Sequence, residues 1–265
     1  MTKTDDIRNV VREKYGAIAQ SNQQGCGCDS GAGGCCGGSA VDQVAEYIGY
    51  TPEQLAALPE GANLGLGCGN PLVHAAPRPG EVVLDLGSGA GMDAFLAARE
   101  VGATGRVIGV DMTSEMLERA RANAAKVGAA NVEFRLGEIE HLPVADASVD
   151  IVISNCVINL SPAKDQVFRE AFRALRPGGR MVVSDLVLLR PLSEEVRASV
   201  EAYVGCVAGA AMKEDYLRAI RDAGFRDVEV VEERSYGDAD LFGGAEWMRE
   251  AARAVVSAKV RAVKP

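Results

Sequence analysis

Seven cysteines, at positions 26, 28, 35, 36, 68, 156 and 206, are the residues best able to do chemistry in this chain. Four of them crowd into the run GCGCDSGAGGCCGGS, whereas Cys68 (GLGCGNP), Cys156 (SNCVINL) and Cys206 (YVGCVAG) stand alone and far apart. An odd count in a chain expected to stay in a reducing compartment argues against a disulfide framework. It favours thiols used as ligands, nucleophiles or redox groups. A thiolate is a soft donor, so the centre it selects is thiophilic rather than oxygen-loving. A free thiol ionises near pH ~8.5, so binding such a centre is linked to proton loss. The plainer alternative is that Cys156 and Cys206 are small buried hydrophobes. Cys26-x-Cys28 and Cys35-Cys36 could hold zinc, but their spacing is not C-x₂-C and no histidine is near. Acid–base chemistry is poorly provided for: His74 and His141 are the two histidines, and His141 before Leu142-Pro143 reads as a loop residue.

A second feature lies at Asp85-Leu86-Gly87-Ser88-Gly89-Ala90-Gly91, where a strand runs straight into a helix. Glycines there let the backbone turn tightly and let a ligand approach a helix N-terminus. A dinucleotide fingerprint needs G-x-G-x-x-G, but Met92 takes the place of its last glycine, leaving G-x-G-x-G. Asp85 would also set a carboxylate against pyrophosphate charge, and it suits an ammonium-bearing ligand better. Asp111 ends the next strand, where a carboxylate can accept hydrogen bonds from both hydroxyls of an adenosine ribose. At Gly137-Glu138-Ile139, after the third strand, adenine would lie with Ile139 against its face.

The elements that must position these residues fall into two parts. Residues 5–20 have the spacing of an amphipathic helix, and 21–39 are too rich in glycine for regular structure. Helices are expected over 41–48 and from Thr51-Pro52-Glu53-Gln54, which carries a capping box with proline in the first helical position. From 81 onward short apolar strands alternate with helices, the pattern of a parallel α/β sheet. Strands are expected at 81–86, 106–110, 132–136, 149–154, 180–186 and 227–233. The helices between are expected over 91–101, over 114–127 with Thr113 as cap, and over 162–175. The last of these should be entered by Ser161-Pro162 and stopped by Pro177-Gly178-Gly179. Segments 193–208 and 213–223 read as a helical excursion. Residues 255–263 alternate, which suggests a final antiparallel edge strand with Ser257, Lys259 and Arg261 facing water. The acidic pairs Asp5-Asp6 and Glu194-Glu195 sit in first helical turns, where the helix dipole favours them.

A length of 265 residues allows one large domain or two small ones. Apolar content of 48% and charged content of 25% are those of an ordinary globular chain and exclude wholesale disorder. The net charge of −9 excludes a phosphate-tracking surface, so no nucleic-acid partner is expected. The start MTKTDDIRNVVREKY has no apolar core of a leader, and no run of 18 apolar residues exists, so neither secretion nor a membrane partner is expected. A cytoplasmic location follows as the expectation.

The glycine loop, Asp111 and the later LRPGG turn together resemble the class I S-adenosylmethionine-dependent methyltransferases over about 80–235. GYTPEQLAALPEGANLGLGCGNP (49–71), SNCVINL and YVGCVAG further resemble the arsenite methyltransferases, over nearly the full chain. The resemblance implies a Rossmann-like, mostly parallel seven-stranded sheet with helices on both faces. It divides the chain into an N-terminal helical and Cys/Gly-rich extension (1–75) and a methyltransferase domain (76–265) with a helical substrate cover near 190–225. It implies S-adenosylmethionine as cofactor, held by Asp85, Gly87, Ser88, Gly89, Gly91, Asp111, Met112, Glu138, Ile139 and Asn155. It implies trivalent arsenic on Cys68, Cys156 and Cys206, with Cys35 or Cys36 as an upstream fourth catalytic thiol. The partners implied are arsenite or its thiol conjugates and a thiol reductant such as thioredoxin or glutathione, acting on a monomer in arsenic detoxification. Two other readings stand beside it: a class I methyltransferase acting on a small organic acceptor such as a quinone-type ring, and a thiol-based metalloid sensor on an inert fold.

Overall fold

The computed structural model describes residues 3–21, 40–235 and 253–265. Cys26, Cys28, Cys35 and Cys36, and the expectation of irregular chain after residue 21, lie outside the described residues. Helices α1 (Lys3–Gln20), α2 (Ala40–Tyr47), α3 (Pro52–Ala56) and α4 (Leu72–Ala75) come first. The capping box at α3 forms as its residues require: Thr51 Oγ1 accepts from the Gln54 amide, and the Gln54 side chain accepts from the Thr51 amide.

The alternating part follows as β1 (Val82–Leu86), α5 (Met92–Val101), β2 (Arg106–Asp111), α6 (Ser114–Val127), β3 (Val132–Leu136) and β4 (Val149–Asn155). A 3₁₀ turn (Ile158–Leu160), α7 (Lys164–Ala174) and β5 (Leu175–Leu188) come next. The excursion is α8 (Glu194–Ala198), α9 (Val200–Val204) and α10 (Lys213–Asp222), and β6 (Arg226–Ser235) and β7 (Val255–Val263) complete the sheet. Its order is β3-β2-β1-β4-β5-β7-β6, parallel from β3 through β5 with β7 antiparallel to both its neighbours.

Strands of a parallel sheet are covered on both faces, and the side-chain alternation shows it. Leu84, Leu86, Val152, Met181 and Val183 pack with Phe168 of α7 and Tyr216 and Ile220 of α10. Val83, Ile151, Ile153 and Val182 point the other way, onto Phe95 of α5, Leu117 of α6 and Ile48, Tyr50 and Leu72 of the N-terminal segment. Helices α2 to α4 are therefore part of this packed face.

Three expectations need correction. β7 lies inside the sheet between β5 and β6, not at the edge. Ser257 and Lys259 are consequently buried, because the loop around Cys68 covers that face: Ser257 Oγ donates to Cys68 O (2.6 Å) and Lys259 Nζ pairs with Glu232 (2.7 Å). The helix after Pro162 stops at Ala174, and Pro177-Gly178-Gly179 belong to a bulged start of β5, where Leu175 pairs with Val149. Thr113 stands at the N-cap of α6 but makes no side-chain capping bond.

Candidate active site

The chain leaves β1 for β2 and β3, then returns to β4 on the far side of β1. A crevice at such a reversal, beyond the carboxyl ends of the strands, is where open α/β sheets bind ligands. A cavity of about 1410 Å³ opens there, and it is lined by the glycine loop, the ends of β2 and β4, α1, the 64–68 loop and Cys206.

The cofactor half is built from contiguous chain. Gly87, Gly89 and Gly91 all have φ between +52° and +96°, a region that disfavours any side chain. A Cβ on Gly87 would stand 2.2 Å from Val157, and one on Gly91 would stand 2.6 Å from the Phe95 ring. Asp111 holds the loop from the next strand, accepting from the Gly89 amide (2.9 Å) and the Thr113 amide (2.8 Å). Burial raises its carboxyl, against the pull of those amides. Asp85 is buried, and burial followed by the Asp93 and Asp111 charges pushes its carboxyl well up. Burial also raises Asp93 to about 6, while the Tyr50 hydroxyl and the Asn155 amide pull it back. Asp85 Oδ2 and Ser88 Oγ have no hydrogen-bond partner among the described residues, and both residues line the cavity. Buried polar atoms of this kind call for a partner, and a ligand bringing an ammonium and hydroxyl groups fits them.

The thiol half is assembled from three distant segments. Cys68 and Cys206 are buried and Cys156 is half-buried, all against Leu160, Leu186, Leu188 and Val207. Cys156 and Cys206 have φ of 59° and 63°, conformations that non-glycine residues seldom adopt and that gather at functional sites. Cys206 Sγ donates to Cys156 O (2.8 Å), and Cys68 Sγ lies 3.7 Å from Ser184 Oγ. Hydrogen bonds to the Cys206 and Cys68 thiols, then burial, push the Cys156 thiol well up. The three thiols thus sit together in an apolar wall.

Asn155 joins the two halves. Its Oδ1 accepts from the Cys68 amide (2.9 Å), and its Nδ2 donates to Gly69 O (2.7 Å), Tyr50 Oη (2.9 Å) and Asp93 Oδ2 (3.1 Å). Gly67 admits this clamp, since a Cβ there would meet Asn155 Nδ2 at 2.8 Å. The residue before one cysteine therefore fixes the backbone of another.

Of the residues expected to hold the cofactor, Asp85, Gly87, Ser88, Gly89, Asp111, Met112, Ile139 and Asn155 line the cavity, and Gly91 and Glu138 do not. Gly91 instead caps α5 and makes room for Phe95. Glu138 turns to α1, where it pairs with Arg12 (3.4 Å) and Arg8 (3.7 Å). The three solitary cysteines share the cavity, whereas Cys35 and Cys36 lie outside the described residues. Sequence reasoning missed Tyr50, Asp93, Ser257 and Asp185. Asp185, a buried acid in the apolar strand MVVSDLVL, carried a visible signal. Burial raises it to about 7 against the pull of the Tyr216 hydroxyl and the Lys164 ammonium.

The methyltransferase domain family matches residues 77–224. The chain is 49% identical over 265 residues to an arsenite methyltransferase of Halobacterium salinarum, covering 98% of this chain and 67% of that protein. It is 40% identical over 241 residues to an arsenite methyltransferase of Aquipseudomonas alcaligenes, covering 88% of this chain and 66% of that protein. The chain thus spans about two thirds of the length of these relatives. The crystal structure of an arsenic(III) S-adenosylmethionine methyltransferase from Chlamydomonas reinhardtii matches with a TM-score of 0.66 at 35% identity, over 87% of this chain and 75% of that one.

Proposed function

This chain belongs to the arsenite methyltransferase family, within the class I S-adenosylmethionine-dependent methyltransferases, and on that premise we propose that it methylates trivalent arsenic held by its own cysteines. Cys68, Cys156 and Cys206 are the proposed ligands, with Cys35 or Cys36 the proposed upstream thiol. The observation that carries the reading is the convergence of those three thiols, from a loop, a strand end and the helical excursion, on the cavity that the glycine loop lines.

The chemistry asks little of the protein beyond placement. Arsenite enters as arsenous acid, and each thiol that binds passes its proton to a departing hydroxyl, which leaves as water. No general base is required, in keeping with a cavity that neither His74 nor His141 lines. Arsenic on three thiolates is pyramidal and keeps a lone pair. S-adenosylmethionine would supply the methyl carbon that this lone pair takes, giving S-adenosylhomocysteine and formally pentavalent arsenic, and two cysteine thiolates would return the arsenic to the trivalent state by closing a disulfide. Asp85, Ser88 and Asp111 are the proposed polar contacts that hold the nucleotide. Asn155 keeps the Cys68 loop beside β4, so catalysis is mainly alignment. Leu160, Leu186 and Leu188 exclude water from the cluster.

No helix among the described residues is long and apolar enough to cross a membrane. The reading is completed by a cytoplasmic monomer acting in arsenic detoxification, with thioredoxin or glutathione returning its cysteines to the thiol state. The test is incubation of the purified chain with S-adenosylmethionine, a thiol reductant and arsenite, followed by speciation of the arsenic. Methylated arsenic should appear with equimolar S-adenosylhomocysteine. Intact S-adenosylmethionine binding without methylated arsenic would overturn the reading.

A further inference from the structure

Methyl transfer to arsenic leaves one buried group beside the thiols unused. Cys68 Sγ, Cys156 Sγ and a carboxylate oxygen of Asp185 all lie within 4.8 Å of one another. Asp185 is 1% exposed, and it is held in place: its Oδ2 accepts from Tyr216 Oη (3.1 Å) on α10, and its Oδ1 from the Leu186 amide (3.2 Å). Cys206 Sγ lies beside this trio, donating to Cys156 O at 2.8 Å, but is not within 4.8 Å of all three donors. The donor cluster is therefore two sulfurs and one oxygen, with a third sulfur beside it.

Trivalent arsenic and a d¹⁰ dication use such a set differently. Arsenic takes three thiolates in a pyramid and points its lone pair where a fourth ligand would stand. Zinc and cadmium have no such lone pair and complete a tetrahedron, with thiolates preferred and a carboxylate acceptable as the fourth donor. Tetrahedral zinc with Zn–S near 2.3 Å needs neighbouring donors about 3.8 Å apart, so the trio must draw together and Cys206 must turn toward it. We propose that this site also binds a thiophilic divalent cation of the zinc and cadmium class through Cys68, Cys156 and Asp185, with Cys206 turning in as the fourth donor, and that the cation and trivalent arsenic exclude each other. Asp185 then distinguishes the two ligands, since it is needed by the cation alone. Occupation by the cation blocks methylation because all three sulfurs are taken and no lone pair faces the cofactor half.

The probe is cadmium chloride titrated into the reduced full chain, followed by the thiolate-to-cadmium charge-transfer absorbance in the ultraviolet. The same titration is run on a variant carrying Cys26→Ser, Cys28→Ser, Cys35→Ser and Cys36→Ser, so that other thiols are silent. One cadmium per chain is expected in that variant, displaced by phenylarsine oxide. Adding Cys156→Ser should remove the band. Adding Asp185→Asn should weaken cadmium at least ~10-fold, the size of effect expected when a ligand or its support is lost, and change phenylarsine oxide affinity less than ~2-fold. Tyr216→Phe, which frees the carboxylate without removing it, should weaken cadmium alone by a smaller factor, and it serves if the Asp185 variant does not fold. Cadmium bound with parent affinity by the Asp185→Asn chain, or by Tyr216→Phe where that stands in for it, would overturn the proposal, as would a band surviving Cys156→Ser. Cadmium binding is read without methylation, so its failure leaves the arsenic reading standing, and failure of arsenic turnover leaves this one standing.

Discussion

The two halves of the cavity are built by opposite means. The cofactor half is a single turn between β1 and α5, fixed by glycines with positive φ and tied by Asp111 one strand away. The thiol half has no local motif. Its three cysteines come from positions 68, 156 and 206, and they meet because Asn155, Ser257 and the excursion after β5 bring their backbones together. Local geometry can be written in seven residues, whereas a soft-ligand site needs the whole fold to assemble it. The first half should therefore fail by losing a turn, and the second by losing a long-range contact.

Gly87→Ala should break this division most severely, because Gly87 touches both halves. The new methyl would need φ near +66° and would stand 2.2 Å from Val157, the neighbour of Cys156. Strain and overpacking of this kind cost about 2–4 kcal/mol. Calorimetry should show S-adenosylmethionine affinity reduced by ~30- to 700-fold and arsenical affinity reduced as well. An unchanged arsenical affinity would mean that the halves are more independent than the packing suggests. Asp111→Ala confines the damage to one half. Each charge-assisted hydrogen bond removed is worth about 1.5–3 kcal/mol, so cofactor affinity should fall while affinity for trivalent methylarsenite holds.

Solution pH offers a gentler probe of the cofactor half. Burial raises Asp85 well above the usual carboxylate range and brings Asp93 to about 6, so Asp93 takes up a proton as pH falls through that value. A cationic ligand favours the carboxylates, and its binding expels protons. Affinity for S-adenosylmethionine should therefore rise as pH increases through about 6, by at most ~10-fold per unit as Asp93 releases its proton. A flat profile from pH 5 to 7 would show that these acids do not meet the cation. Ser257→Ala should have the smallest effect, on the thiol half. It leaves Cys68 O without its buried donor, a loss of about 1 kcal/mol. The KM for arsenite should rise severalfold, and that for methylarsenite should stay constant.

The same contrast governs what the sequence discloses. Strands β1 to β4, the capping box at Thr51 and the glycine loop are written in short-range patterns, and each was legible within a residue or two. β7 was legible as a strand but not as an interior one. Its alternation of apolar and polar residues looks like an edge, and only the Cys68 loop lying across it shows why Ser257 and Lys259 are buried. Likewise Glu138 read as a nucleotide contact because its partners, Arg8 and Arg12, stand more than a hundred residues earlier on α1. The solitary cysteines were visible as residue types, but their meeting was implied by the resemblance alone and not by their spacing. Tyr50 escaped notice because buried polar partners have no spacing rule, whereas Asp185 stands out only as an acid in an apolar strand.

Methylation of arsenite and of trivalent methylarsenite by the single variants Cys68→Ser, Cys156→Ser and Cys206→Ser tests the thiol assignment most directly. Serine keeps the size and removes the soft donor. Cys156→Ser and Cys206→Ser should lose both activities while binding S-adenosylmethionine normally. Cys68→Ser should lose arsenite yet still act on methylarsenite, which takes only two thiolates. Parent rates on both substrates in the Cys156→Ser and Cys206→Ser proteins would contradict the account, and would return these cysteines to the role of core filler.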